Sequence, residues 1–175
     1  MSDVVQLRTE TQVSEERPLY DLIELLFFAY RDFVGDADRL LETYGFGRAH
    51  HRVLHFVSRQ PGMTVAALLD LLRITKQSLA RVMKDLVDGG FVSTYAGPTD
   101  RRQRLLFVTP SGRALADDLA RLQSERFRSA LRDLPDDAHQ RAIEFLLALV
   151  DRDARAEVAA TVWPELATVA QVGRS

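Results

Sequence analysis

The segment Met63–Thr109, MTVAALLDLLRITKQSLARVMKDLVDGGFVSTYAGPTDRRQRLLFVT, decides how this chain folds. Leu79, Val82, Met83, Leu86 and Val87 recur at i, i+3, i+4, i+7 and i+8, which predicts a helix with one apolar stripe that must pack on another element. Gln77, Arg81 and Lys84 then fall on the opposite face, with Ser78 beside them. Thr75 is a suitable N-cap. The first turn, from which Lys76 projects, therefore presents backbone N–H groups at the positive end of the helix dipole. Gly89 and Gly90 stop the helix, Phe91–Tyr95 reads as a strand, Ala96–Gln103 as a loop of turn residues, and Arg104–Thr109 as the return strand. A preceding helix, capped by Thr64, carries Val65, Leu68, Leu69 and Leu72 on one face and supplies the support the stripe requires. Two helices across a tight turn followed by a hairpin make a winged helix-turn-helix, so the fold class is mainly α with a small β-hairpin.

Outward from this segment, residues 1–17 are polar and aperiodic and read as a mobile arm. Pro18 opens a helix to about Thr43, in which Leu19, Leu22, Ile23, Leu25, Leu26, Phe27, Phe28, Tyr30, Phe33 and Val34 wrap more than one stripe. That much apolar surface calls for a partner subunit. Gly45 and Gly47 break the helix, and Arg48–Arg59 forms the next, ending before Pro61-Gly62. After the hairpin, Thr109 caps and Pro110 begins a long helix to about Arg132, with Leu115, Leu119 and Leu122 in register. Leu134-Pro135 interrupts it. Asp136 and Asp137 then read as the first turn of a helix carrying Ala142, Phe145, Leu146, Leu149 and Val150 along one side. Residues 18–150 form the expected single domain, with the winged helix-turn-helix at about 47–109. Residues 151–175 are a C-terminal extension in which DRDARAEVAA prolongs the helix until Trp163-Pro164.

Composition narrows the function classes. With 175 residues, 46% hydrophobic and 27% charged, the chain has enough apolar material for one ordinary core. No apolar run approaches the ~20 residues of a membrane span, and the N-terminus lacks a basic-then-apolar signal layout, so a cytoplasmic protein with no membrane partner is expected. Zero cysteines exclude disulfides, thiolate zinc sites and thiol-based peroxide sensing. There is no nucleophile motif, no glycine-rich phosphate loop and no pair of carboxylates tied to a pocket, so neither an enzyme nor a cofactor is expected. Net charge is −2, yet Arg73–Arg104 holds seven Lys/Arg against three Asp/Glu. An acidic body with one basic edge suits double-stranded DNA as a partner.

The sequence resembles the MarR family of bacterial regulators over about residues 18–150. Asp100-Arg101-Arg102 followed by Thr109-Pro110-Ser111-Gly112 is similar to the family's D-x-R wing motif and to the LTxxG that starts its next helix. Ile74-Thr75-Lys76-Gln77-Ser78, opening a helix that ends in Gly-Gly-Phe-Val, is similar to the family's recognition helix, and Gly47-Arg48-Ala49-His50-His51-Arg52-Val53-Leu54 resembles PetP-like members. The resemblance implies a homodimer built by helices at about 18–43 and 110–150, a pseudo-palindromic operator, repression of transcription, and a small aromatic or phenolic effector bound where the dimer helices meet the reading head. It also implies that Arg102 is inserted into the minor groove. Arg73 departs from the pattern, because the family usually has glycine in that turn, where a left-handed residue costs a non-glycine about 1 kcal/mol or more.

Each candidate residue has a plainer reading beside the functional one. Gln77 and Arg81 suit bidentate contacts to adenine and guanine edges, with Ser78 in support. Lys76, Lys84, Arg73 and the N–H groups behind Thr75 and Thr64 suit phosphates. Alone, that face could be an ordinary solvated one. A hairpin tip bearing Arg101, Arg102 and Arg104 has no packing purpose, however, and suits a narrow, electronegative minor groove, with Asp100 either steering an arginine or tightening the turn. His51 and His55 stand at a zinc-like i, i+4 spacing beside His50, but no cysteine joins them, so packing is preferred and no metal is assigned. Phe28, Tyr44, Phe46, His50, His51 and His55 make a candidate ligand pocket, against the plainer role of core and dimer filling. Two other readings remain: a protein–protein adaptor without DNA binding, and a metal-responsive regulator using His51 and His55.

Overall fold

The computed structural model describes residues 17–164, so residues 1–16 of the expected arm and 165–175 of the extension lie outside it. The elements are α1 (Tyr20–Glu42), α2 (Arg48–Arg59), β1 (Met63–Thr64), α3 (Val65–Leu72), α4 (Lys76–Asp88), β2 (Val92–Ala96), β3 (Arg104–Val108), α5 (Pro110–Leu131), α6 (Ala138–Leu149), a 3-10 turn at Arg152–Ala154 and α7 (Arg155–Val162). The chain divides into two compact units, one up to Ser124 and one from Glu125.

In the first unit the expected stripe is the centre of the core. Leu79, Val82 and Leu86 of α4 are buried with Leu68 and Leu72 of α3, Val53, Leu54 and Val57 of α2, and Ala37 and Leu41 of α1. Leu115 and Leu119, one turn apart on α5, join the same cluster. Val87 departs from the expectation: it lies at the edge of the stripe and stays 40% exposed. The sheet has three antiparallel strands in the order β1-β3-β2, with Met63 opposite Leu106 and Thr94 opposite Leu106 on the other side. The two-residue β1 was not expected, because Thr64 ends the strand and caps α3 at once, its Oγ1 accepting from the Ala67 N–H at 3.1 Å. The hairpin strands sit about one residue from their expected bounds, since Phe91 is used in the turn after α4 and Thr109 in capping α5.

One junction ties hairpin, α4 and α5 together. Thr109 Oγ1 donates to the Gly90 carbonyl at 2.6 Å and accepts from the Gly112 N–H at 3.1 Å, while the Thr109 N–H donates to the Phe91 carbonyl at 3.0 Å. Gly112 lies against that same carbonyl, where a side-chain carbon would stand 1.9 Å from the oxygen. The glycine of the TPSG motif is therefore required by close approach rather than by φ.

The N-terminal half of α1 is exposed within its own unit, with the Arg48 guanidinium of α2 lying over the Tyr30 ring at 5.8 Å. Residues 20–32 are all exposed, with Phe27 at 67%, whereas burial begins with Val34. In the second unit, α6 starts at Ala138, so Asp136 and Asp137 precede the helix instead of forming its first turn; Arg141 pairs with Asp137 at 2.6 Å. Phe145, Leu146 and Leu149 on α6 are also exposed. The expected continuous tail helix is broken at Val150, whose backbone is extended, and Arg155 caps the end of α6 by donating to the carbonyls of Ala148 and Val150. No helix among the described residues is long and apolar enough to cross a membrane.

Gly112→Ala tests the junction. At an ordinary helix position this change gains about 1 kcal/mol; here overpacking against Phe91 should cost about 1–3 kcal/mol. Urea unfolding of the variant gives the sign, and an unchanged or raised midpoint contradicts the junction.

Candidate nucleic-acid interface

The start of α4 is built as its sequence requires. Thr75 Oγ1 accepts from the Ser78 N–H at 3.2 Å, satisfying one of the helix's open donors, and its hydroxyl also meets Ser78 Oγ at 2.9 Å. Ser78 is thus engaged by the cap, to one side of the outer face. Lys76, Gln77, Arg81 and Lys84 are all exposed on α4, against the buried line of Leu79, Val82 and Leu86. Sequence reading missed Asp88 on the same outer face: Lys84 Nζ reaches Asp88 Oδ2 at 2.5 Å, and this bond holds the ammonium pKa above its ordinary range. The i, i+4 spacing carried that signal.

The hairpin tip resolves the two roles open to Asp100. Its Oδ1 accepts from the Arg102 N–H at 2.9 Å and its carbonyl from the Gln103 N–H at 3.0 Å, so it tightens the turn. Gly97 closes the loop by donating to the Gln103 carbonyl at 3.0 Å, where an added Cβ would stand 2.7 Å from the Asp100 carbonyl oxygen. Arg101, Arg102 and Arg104 are exposed around this tip. Thr64 caps α3, and Arg73 adopts the left-handed conformation, φ 50° and ψ 46°, where the resemblance implies a glycine.

Behind α4 stands an aromatic cluster. His50 Nδ1 accepts from the Gly47 N–H at 3.1 Å, which places the ring proton on Nε2, facing Asp85 Oδ2 of α4 at 3.2 Å. Its ring stacks on Phe46 at 4.7 Å, and Phe91 meets both Phe46 and Tyr44 edge-on at 5.1 and 5.5 Å. Of the six candidate pocket residues the fold thus brings together Tyr44, Phe46 and His50, with Phe91 added. Phe28 lies elsewhere on α1 under the Arg31 guanidinium, and His55 meets Phe56 on α2. A cleft of about 630 Å³ opens instead between α3, α4 and the hairpin; it is lined by Val65, Leu69, Met83 and Val87 together with Lys76, Lys84 and Arg104, and by none of those six residues. Among the described residues no group of three or more His, Cys, Asp or Glu could hold a metal ion.

The sequence model of the MarR family matches residues 44–103. Over 110 residues the chain is 47% identical to the HTH-type transcriptional regulator PetP of Rhodobacter capsulatus, a match covering 63% of this chain and 66% of that protein. Over 98 residues it is 34% identical to the HTH-type transcriptional regulator MT0903.1 of Mycobacterium tuberculosis, covering 54% of this chain and 68% of the relative. This chain belongs to the MarR family. Its match spans just under two thirds of PetP and 63% of the putative transcriptional regulatory protein for the hcr operon of Thauera aromatica. The fold agrees with a crystal structure of MarR, at a TM-score of 0.63 and 22% identity over 84% of this chain and 98% of that one, and with the transcriptional regulator SlyA, at 0.64 and 15% over 78% and 96%. In this MarR-family chain the D-x-R and LTxxG-like motifs have structural causes, the first closing the wing tip and the second locking the wing to α5.

His51 and His55 supply a pH test. Burial lowers the pKa of His51 below 6.5, with His55 adding to the effect and Asp38 opposing it; burial and then Arg59 lower that of His55. Protons are then bound preferentially by the unfolded chain, so stability is complete above about pH 6.5 and falls as pH drops from there toward the lower folded values. Urea midpoints at about pH 7.5 and about pH 5.5 should converge in the His51→Gln, His55→Gln double variant. An undiminished difference contradicts this origin.

Proposed function

We propose that the chain is a homodimeric, sequence-specific DNA-binding repressor. One observation carries this: a capped helix, locked by a buried stripe, turns Gln77, Arg81 and Lys84 outward in the same compact unit as an arginine-bearing hairpin tip. Gln77 and Arg81 read base edges in the major groove, with Ser78 in support. Lys76, Lys84 and Arg73, and the helix N-termini at Thr64 and Thr75, hold phosphates and fix register. Arg102, aided by Arg101 and Arg104 and shaped by Asp100, enters the adjacent minor groove. The exposed apolar faces of α1 and α6 support a second copy as the partner, with helices at about 18–43 and 110–150 forming the dimer. Two-fold symmetry then sets half-sites one helical turn, about 34 Å, apart on a pseudo-palindromic operator.

A small aromatic or phenolic ligand relieves repression by changing the tilt of the reading heads. The contact of Tyr44, Phe46 and His50 with Phe91 and Asp85 supports this, because it joins the loop after α1 to the recognition helix. The sequence and its composition also support a cytoplasmic setting.

Selection of bound fragments from random duplex DNA, followed by a salt series, tests the reading. Arg81→Ala should cost about 1–3 kcal/mol and relax preference at one base pair per half-site; Arg102→Ala should weaken all sequences and reduce the salt slope by about one. Equal binding of every duplex by the wild type sinks the proposal. Adding phenolic acids to the selected complex should release it, and an affinity that never moves removes the ligand step.

A further inference from the structure

Arg73 is the one described non-glycine residue with positive φ. It lies between Leu72, the last residue of α3, and Ile74, with the α4 cap Thr75 next. With so short a connection, relaxation of this residue out of the left-handed region is passed directly to the direction of α4. Its own N–H bonds to Leu69 O at 2.9 Å, inside the last turn of α3. A third helix adds a second restraint: Arg52 of α2 donates from Nη2 to the Leu72 carbonyl at 3.1 Å.

That carbonyl is among the acceptors left open at a helix C-terminus, at the negative end of the dipole, so a guanidinium there makes a charge-assisted bond. Arg52 is exposed on α2, next to the buried Val53 and Leu54, and belongs to neither the outer face of α4 nor the hairpin tip. We propose that Arg52 is a positioning residue. It pins the Leu72 carbonyl and so holds the left-handed turn at Arg73, and with it the direction of α4, in the form that reads DNA. A second link from the same helix, His50 to Asp85, meets α4 three turns further along. The role in DNA reading rests on the function proposed above, while the pinning of the turn does not.

The two are separated by a double-mutant cycle of Arg52→Gln and Arg73→Gly. Glycine takes the left-handed conformation without penalty, so the turn needs less holding in its presence. Affinity is measured for the fragment that the wild type selects and for a mixed-sequence duplex of equal length, over a salt series. Urea unfolding of the same four proteins is measured at one protein concentration. Arg52→Gln should lose about tenfold in affinity for the selected fragment, as for a hydrogen bond to a charged group, with little change on mixed-sequence DNA. In each background Arg52→Gln should leave the salt slope unchanged, since Arg52 holds no phosphate, whereas Arg73→Gly lowers it by itself through the phosphate contact given to Arg73 above. In the Arg73→Gly background the loss should shrink to about threefold or less, and urea midpoints should show the same non-additivity. Equal losses in both backgrounds overturn the proposal, as does a salt slope that Arg52→Gln makes shallower than that of its own background, which would make Arg52 a phosphate contact. Should the wild type fail to discriminate between duplexes, the DNA reading fails, and additive urea midpoints would then overturn the pinning as well.

Discussion

The Phe91 carbonyl leaves no room for a side chain at Gly112, and the geometry of the winged helix-turn-helix depends on that approach. Around it Thr109 bonds to Gly90, Phe91 and Gly112, so the end of α4, both hairpin strands and the start of α5 meet at one point. A hairpin alone is marginal in water and a helix of 13 residues little better. Joined there and laid on a shared core, they behave as one body. The distance between the outer face of α4 and the arginine tip is then a property of the fold rather than of a flexible loop.

The chemistry of the interface follows from a division of faces. Leu79, Val82 and Leu86 turn one side of α4 into the core, which leaves the other side to solvent. Gln77, Arg81 and Lys84 there are amide-bearing or cationic beside the acidic Asp88, and the tip adds three arginines, while the chain as a whole is slightly acidic. Lys84 is restrained by Asp88 on this face. An exposed pair of this kind contributes little to stability.

Local features of the fold were legible in the sequence, whereas pairings across elements were not. The caps Thr64, Thr75 and Thr109 and the bounds Arg48–Arg59 follow from residue chemistry within one or two turns, and the structure reproduces them. The strand β1 escaped because two residues give no alternation to read, and Val87 because a stripe's edge depends on the crossing angle of its neighbour. His50–Asp85 spans 35 positions and Arg52–Leu72 spans 20, so neither leaves a periodic trace. The aromatic cluster was half visible. Tyr44, Phe46 and His50 are near in sequence, but Phe91 joins them only through tertiary packing, and Phe28 lies on the exposed stretch of α1 against Arg31. For Asp100 both roles were chemically open, and only the backbone of the tip shows that it closes the turn.

Hydroxyl-radical footprinting of the wild-type protein on its selected fragment is the most direct measurement. Two rigid heads related by a two-fold axis predict symmetric protection centred about 10 bp apart, with outer minor-groove segments that become reactive again in Arg102→Ala. A single asymmetric protected stretch, or uniform weak protection along the whole duplex, would contradict them.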